Sequence, residues 1–171
     1  MKKGWCNIAS LAVLGVFIAS GLAMGADPPN FTGTWLLVKD KSSNLPSIFA
    51  AVDEYILTVK QNGNDSITLS SEIHGRGQTI SNEPETFPIN GTAVEKEDKR
   101  GVKSKRSFKY AEDQRKLVVS TEKQFSGEVQ LPNTNEIETW ELSDEGKTLT
   151  ITITPKTEGS QKQVRIFAKK A

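Results

Sequence analysis

The sequence holds a single cysteine, Cys6, and a single histidine, His74, in 171 residues. One thiol excludes an internal disulfide framework and any zinc site built on cysteine pairs. One imidazole excludes a histidine-rich metal centre. Net charge is scarce too: 22 Lys and Arg face 21 Asp and Glu, a balance of +1, which leaves no electrostatic footprint for nucleic acid. Long apolar runs are also missing. The longest spans residues 8–19, broken by Ser10 and Gly15, and falls short of the roughly 20 positions that a spanning helix needs.

That run reads as part of a leader. Met1-Lys2-Lys3 is a basic start, the apolar stretch follows, and small residues close it in Gly21-Leu22-Ala23-Met24-Gly25-Ala26. This is the layout of a secretory signal peptide over residues 1–26. Cleavage after Gly25 places Ala23 at the minus-three position; cleavage after Ala26 places Met24 there. Cys6 follows Lys3-Gly4-Trp5, too early for a lipid-attachment cysteine. Removal of residues 1–26 takes away the cysteine and both methionines and leaves 20 basic against 21 acidic residues. The domain that remains, residues 27–171, needs no oxidising machinery to fold.

The remaining chain reads as all-β. Residues 55–61 alternate, with Tyr55, Leu57 and Val59 on one face, as a half-buried strand requires. Asn62-Gly63-Asn64-Asp65 marks a tight turn, and Ile67, Leu69, Ser71 and Ile73 line the return strand. Residues 78–89 carry Pro84 and Pro88, which predicts short or edge pieces. Asn90-Gly91 reads as another hairpin turn, leading into 92–97. Strands follow at 102–110, 116–125, 136–142, 148–154 and 164–169, and one opens the domain at Gly33-Thr34-Trp35-Leu36-Leu37. The one helix candidate, 47–53, is a turn or two long. Short connections and no crossover helices predict an antiparallel up-and-down meander. Closing it into a barrel of about 8–10 strands hides both edges, and a two-sheet sandwich is the alternative.

Two segments carry a resemblance. Asn30-Phe31-Thr32-Gly33-Thr34-Trp35 followed by Asp40-Lys41-Ser42, and Trp140-Glu141-Leu142-Ser143-Asp144-Glu145-Gly146-Lys147-Thr148-Leu149-Thr150 near the end, resemble secreted bacterial lipocalin-like proteins of the calycin type. With the meander, the resemblance covers nearly all of residues 27–171. It implies that Trp35 closes one end of the barrel under a basic side chain from the last strand, Arg165 or else Lys169. Such a cation over an indole is a favourable contact. A Thr-Asp-Tyr motif, present in the narrower ligand-carrier family, is missing here.

The chemistry-bearing residues are few. His74 follows a strand beside Gly75 with no nucleophile at hand, and reads as a turn histidine. Glu136 and Glu138 share a face, with Glu141 on the other, and read as solvated strand carboxylates. Gly75-Arg76-Gly77 precedes no helix and is no phosphate loop. Residues 96–109 are basic, with Lys103, Lys105 and Lys109 pointing outward together. Arg106 falls on the face of Val102, Phe108 and Tyr110, where a charge is costly unless paired or hydrated. The resemblance implies that an interior arginine of this barrel class holds a ligand carboxylate, and Lys123 falls on a neighbouring inward face.

The expectation is therefore an exported, monomeric barrel without metal or cofactor. It binds a small apolar or carboxylate-bearing molecule through Arg106, Lys123, Tyr55, Phe108, Tyr110 and Trp140. The alternative is a filled barrel that docks an envelope partner through its basic 96–109 face. An enzyme using Glu138 or His74 is the third reading. No nucleic-acid role and no membrane segment after leader removal are expected.

Overall fold

A computed structural model describes residues 27–98, 101–125 and 133–171. The expected leader lies outside the described residues, as do Lys99, Arg100 and most of the 127–135 loop. The described chain forms β1 (Gly33–Leu37), a single 3-10 turn (Lys39–Lys41) and the short helix α1 (Ser47–Ala51). The strands β2 (Glu54–Asn62), β3 (Ser66–Gly75), β4 (Gln78–Pro88), β5 (Val94–Glu97) and β6 (Val102–Tyr110) follow. The chain ends with β7 (Leu117–Phe125), β8 (Thr134–Leu142), β9 (Thr148–Pro155) and β10 (Gln163–Lys169).

All ten strands join one sheet in the order β4-β3-β2-β1-β10-β9-β8-β7-β6-β5, every pairing antiparallel. The first strand pairs with the last, so the meander curls into a nearly closed barrel. Turn chemistry drives the reversals. Gly63 takes a φ of 55° where the Asp65 amide donates to the Asn62 carbonyl at 3.1 Å, a backbone shape glycine adopts without strain. The segment with two prolines forms one strand of eleven residues, β4, rather than short pieces. It sits at the sheet's end, and its register against β3 shifts between Leu69 and Ser71. Pro84 falls in that irregularity, where a missing N–H costs no ladder bond.

The lower half of the barrel is packed solid. Phe31, Trp35, Phe108, Leu117, Leu149 and Phe167 are all at most 1% exposed. The Phe31 and Phe108 rings meet Trp140 edge-on at 6.0 and 6.5 Å, the favoured aromatic geometry. Trp35 donates from Nε1 to the Phe31 carbonyl at 3.0 Å.

The basic partner of Trp35 is Lys169, not Arg165: the Lys169 ammonium lies 5.3 Å from the indole centroid. Register decides this. Trp35 pairs directly with Lys169 across β1 and β10, whereas Arg165 lies four residues, roughly 13 Å, further along its strand. Arg165 instead stands over the Phe49 ring of α1 at 4.8 Å.

Candidate functional site

Above the packed floor the interior opens into a cavity of about 630 Å³, within the usual range for a small-molecule site. Its wall changes character with height and with side. Leu57, Trp140, Ile151 and Phe167 form an apolar base and flank. Arg106, Glu138 and Arg165 sit above them. Ser71, Asn82, Glu85 and Lys96 make the β3–β5 side polar, with Asn82 Nδ2 donating to Ser71 Oγ at 2.8 Å.

Alternation on β6 aims Arg106 inward. Its guanidinium lies 5.2 Å from the Phe87 centroid and 5.1 Å from that of Phe108. Its Nε donates to Thr121 Oγ1 at 3.3 Å, and its Nη2 stands 3.5 Å from a Glu138 carboxylate oxygen. The other Glu138 oxygen accepts from Trp140 Nε1 at 2.9 Å. Glu138 is 9% exposed, so the solvated carboxylate expected from sequence is in fact a buried counter-ion. The spacing of Glu138 and Trp140, two residues apart in β8, carried that signal: one is obliged to share the other's face.

Arg165 is the residue sequence reasoning misassigned. It projects from β10 into the cavity beside Tyr55 and Phe167. Its Nη2 donates to Gln163 Oε1 at 3.2 Å, while its buried Nε has no hydrogen-bond partner. No carboxylate among the described residues forms an ion pair with it. Burial raises the Tyr55 phenol above its ordinary pKa, and the Arg165 charge opposes that rise. The alternation of β10 hid this arrangement, because its aliphatic residues Val164, Ile166 and Ala168 face outward.

Of the other expected site residues, Tyr55 and Trp140 line the cavity and Phe108 packs beneath it. Tyr110 does not line it. It closes the lower end, where its hydroxyl accepts from Gln61 Nε2 at 2.8 Å and donates to the Pro29 carbonyl at 3.2 Å. Lys123 is also outside the cavity wall; it stands two residues beyond Thr121, in a shallow recess with Glu122, Asn133 and Lys156.

The outer basic face is largely neutralised by its neighbour strand. Lys103 pairs with Glu97 at 4.0 Å and Lys105 with Glu95 at 3.0 Å. His74 sits at the β3 tip, with Nδ1 3.0 Å from Thr79 Oγ1 and Nε2 3.4 Å from Glu72; it is not part of the cavity wall. No cluster of three metal-binding side chains occurs among the described residues. No helix among them is long and apolar enough to cross a membrane.

No protein-family model and no curated protein sequence matches the chain. Solved structures do. The fatty-acid-binding protein isolated from Manduca sexta superposes with a TM-score of 0.46 at 18% identity, over 81% of this chain and 99% of that one. The zebrafish ileal bile acid-binding protein complexed with cholic acid gives 0.51 at 20%, over 82% and 98%. The likeness bears on the fold: a nearly closed, ten-stranded antiparallel β-barrel with one short α-helix between its first two strands.

Proposed function

We propose that this protein is an exported carrier that binds a small amphipathic anion in the upper half of its barrel. One observation carries the reading: Arg165 lines the cavity with no carboxylate paired to it among the described residues, and its Nε has no hydrogen-bond partner. An interior cation without a counter-ion is costly, and a ligand carboxylate or sulfonate relieves that cost with charge-assisted bonds. The anchor role that the sequence assigned to Arg106 moves to Arg165, because Glu138 already neutralises Arg106. The ligand's apolar part rests on Leu57, Trp140, Ile151 and Phe167. The packed floor and polar β3–β5 side favour a compact amphiphile over a wholly apolar chain. The zebrafish protein of the same fold is complexed with cholic acid, a ligand of that chemical kind. Export rests on the basic start and apolar run of residues 1–26.

Calorimetric titration with decanoate and with 8-anilinonaphthalene-1-sulfonate tests the reading. Both bind the unaltered protein, and Arg165→Gln weakens each by about tenfold or more. Arg165→Leu leaves folding stability unchanged or raised, since it removes an unsatisfied buried donor. Failure of both anions to bind, or equal binding by Arg165→Gln, overturns the proposal.

A further inference from the structure

We infer that the seam between β4 and β5 is a lateral port into the cavity, latched by the ion pair between Glu85 and Lys96. The barrel is closed by hydrogen bonds everywhere except here: β4 and β5 are the two ends of the sheet order and do not pair. Below the latch the seam is pinned. The Gly91 amide donates to the Phe108 carbonyl at 2.8 Å, Asn90 bridges Lys109, and the Phe87 and Phe108 rings stack at 4.6 Å. Above these pins the seam is crossed by Lys96 and Glu85.

Two spaces meet at that pair. The cavity lies on its inner side, and a second recess of about 220 Å³ lies in the seam itself. Glu85, Lys96 and Arg106 belong to the walls of both. The partition is therefore made of side chains, and opening it breaks no backbone ladder. The latch is weak, because both partners are more than a third exposed and water screens them. The neighbouring strands are suited to yielding. β5 has four residues and pairs with β6 alone. β4 carries a register shift beside Glu85, and its residues from Gln78 to Pro84 have exposed side chains.

The test reads the port without a ligand first. Cys6 is the chain's one cysteine, so Cys6→Ser with Thr121→Cys places a single thiol inside the barrel. Thr121 is 2% exposed and pairs with Arg106 across β6 and β7. Adding Glu85→Gln or Lys96→Gln should speed its alkylation by iodoacetamide about twofold to fivefold, the range an exposed ion pair sustains. One molar salt should do the same to the intact pair. The charge swap Glu85→Lys with Lys96→Glu should restore the slow rate. Unchanged rates in both single variants, or a swap that stays fast, overturn the latch.

The second arm rests on the proposed ligand reading. For 8-anilinonaphthalene-1-sulfonate, Lys96→Gln should raise the association and dissociation rates together, each by about twofold or more. Faster alkylation without dye binding keeps the port and removes the ligand reading. Dye binding with neither rate altered keeps the ligand reading and removes the port.

Discussion

Replacing Glu138 with leucine removes the counter-ion of Arg106 and the acceptor of Trp140 Nε1 in one step. Breaking a fully buried pair from one side costs about 3–5 kcal/mol, because the remaining charge is stranded. The Arg106 side chain keeps 25% of its exposure, and its contacts with Phe87, Phe108 and Thr121 survive, so about 2–3 kcal/mol is expected for the stranded cation. The orphaned indole N–H adds about 1 kcal/mol. For a domain of this size the sum lowers the melting temperature by about 10 °C. Glu138→Gln keeps an acceptor for Trp140 and should fall between wild type and Glu138→Leu. Combining Glu138→Leu with Arg106→Met removes both charges together and should recover most of the loss, with a coupling of about 2 kcal/mol in the double-mutant cycle. Urea and thermal unfolding by circular dichroism supply the four corners. A Glu138→Leu protein within about 0.5 kcal/mol of wild type refutes the reasoning, and so do single effects that simply add.

At the closed end, Lys169→Ala should cost about 1 kcal/mol by urea unfolding, and Lys169→Arg should restore most of it, since both cations sit over the Trp35 indole. Ser42→Ala should cost about 1–2 kcal/mol, because Ser42 Oγ donates to the Val38 carbonyl at 2.8 Å and accepts from the Ile166 amide at 3.0 Å. Burial raises the Tyr55 and Tyr110 phenols above their ordinary pKa. The folded state therefore holds these protons more tightly, and stability is full below the unfolded value of about 10 and falls as pH rises through the folded values. Urea midpoints at pH 8 and pH 11 check this, and Tyr55→Phe should shrink the difference.

The strands were largely legible from alternation and turn residues. The 102–110 and 148–154 segments show strict two-residue periods, and Asn62-Gly63 marks the β2–β3 hairpin; Asn90-Gly91 reverses the chain but forms no hairpin, because β4 and β5 do not pair. The proline-bearing segment was harder. Its pattern signals an edge, which β4 is, but not that a register shift would absorb Pro84 and let the strand run on. The site was half legible. Arg106, Tyr55 and Trp140 stand where alternation put them. Lys123 and Tyr110 do not, because alternation assigns a face without a height, and both lie beyond the ends of the cavity.

The sequence by itself determined the class of fold, since a period of two and short turns leave an antiparallel meander few ways to bury one face. It also determined which residues point inward on most strands. Only the tertiary structure decided which charges meet. Glu138 and Arg106 belong to strands separated by β7 and come together through barrel curvature. Lys169 reached Trp35 through the register of the first strand against the last. That register left Arg165 without a carboxylate, facing open space, because pairing across a barrel depends on stagger and closure, which no local stretch of sequence encodes.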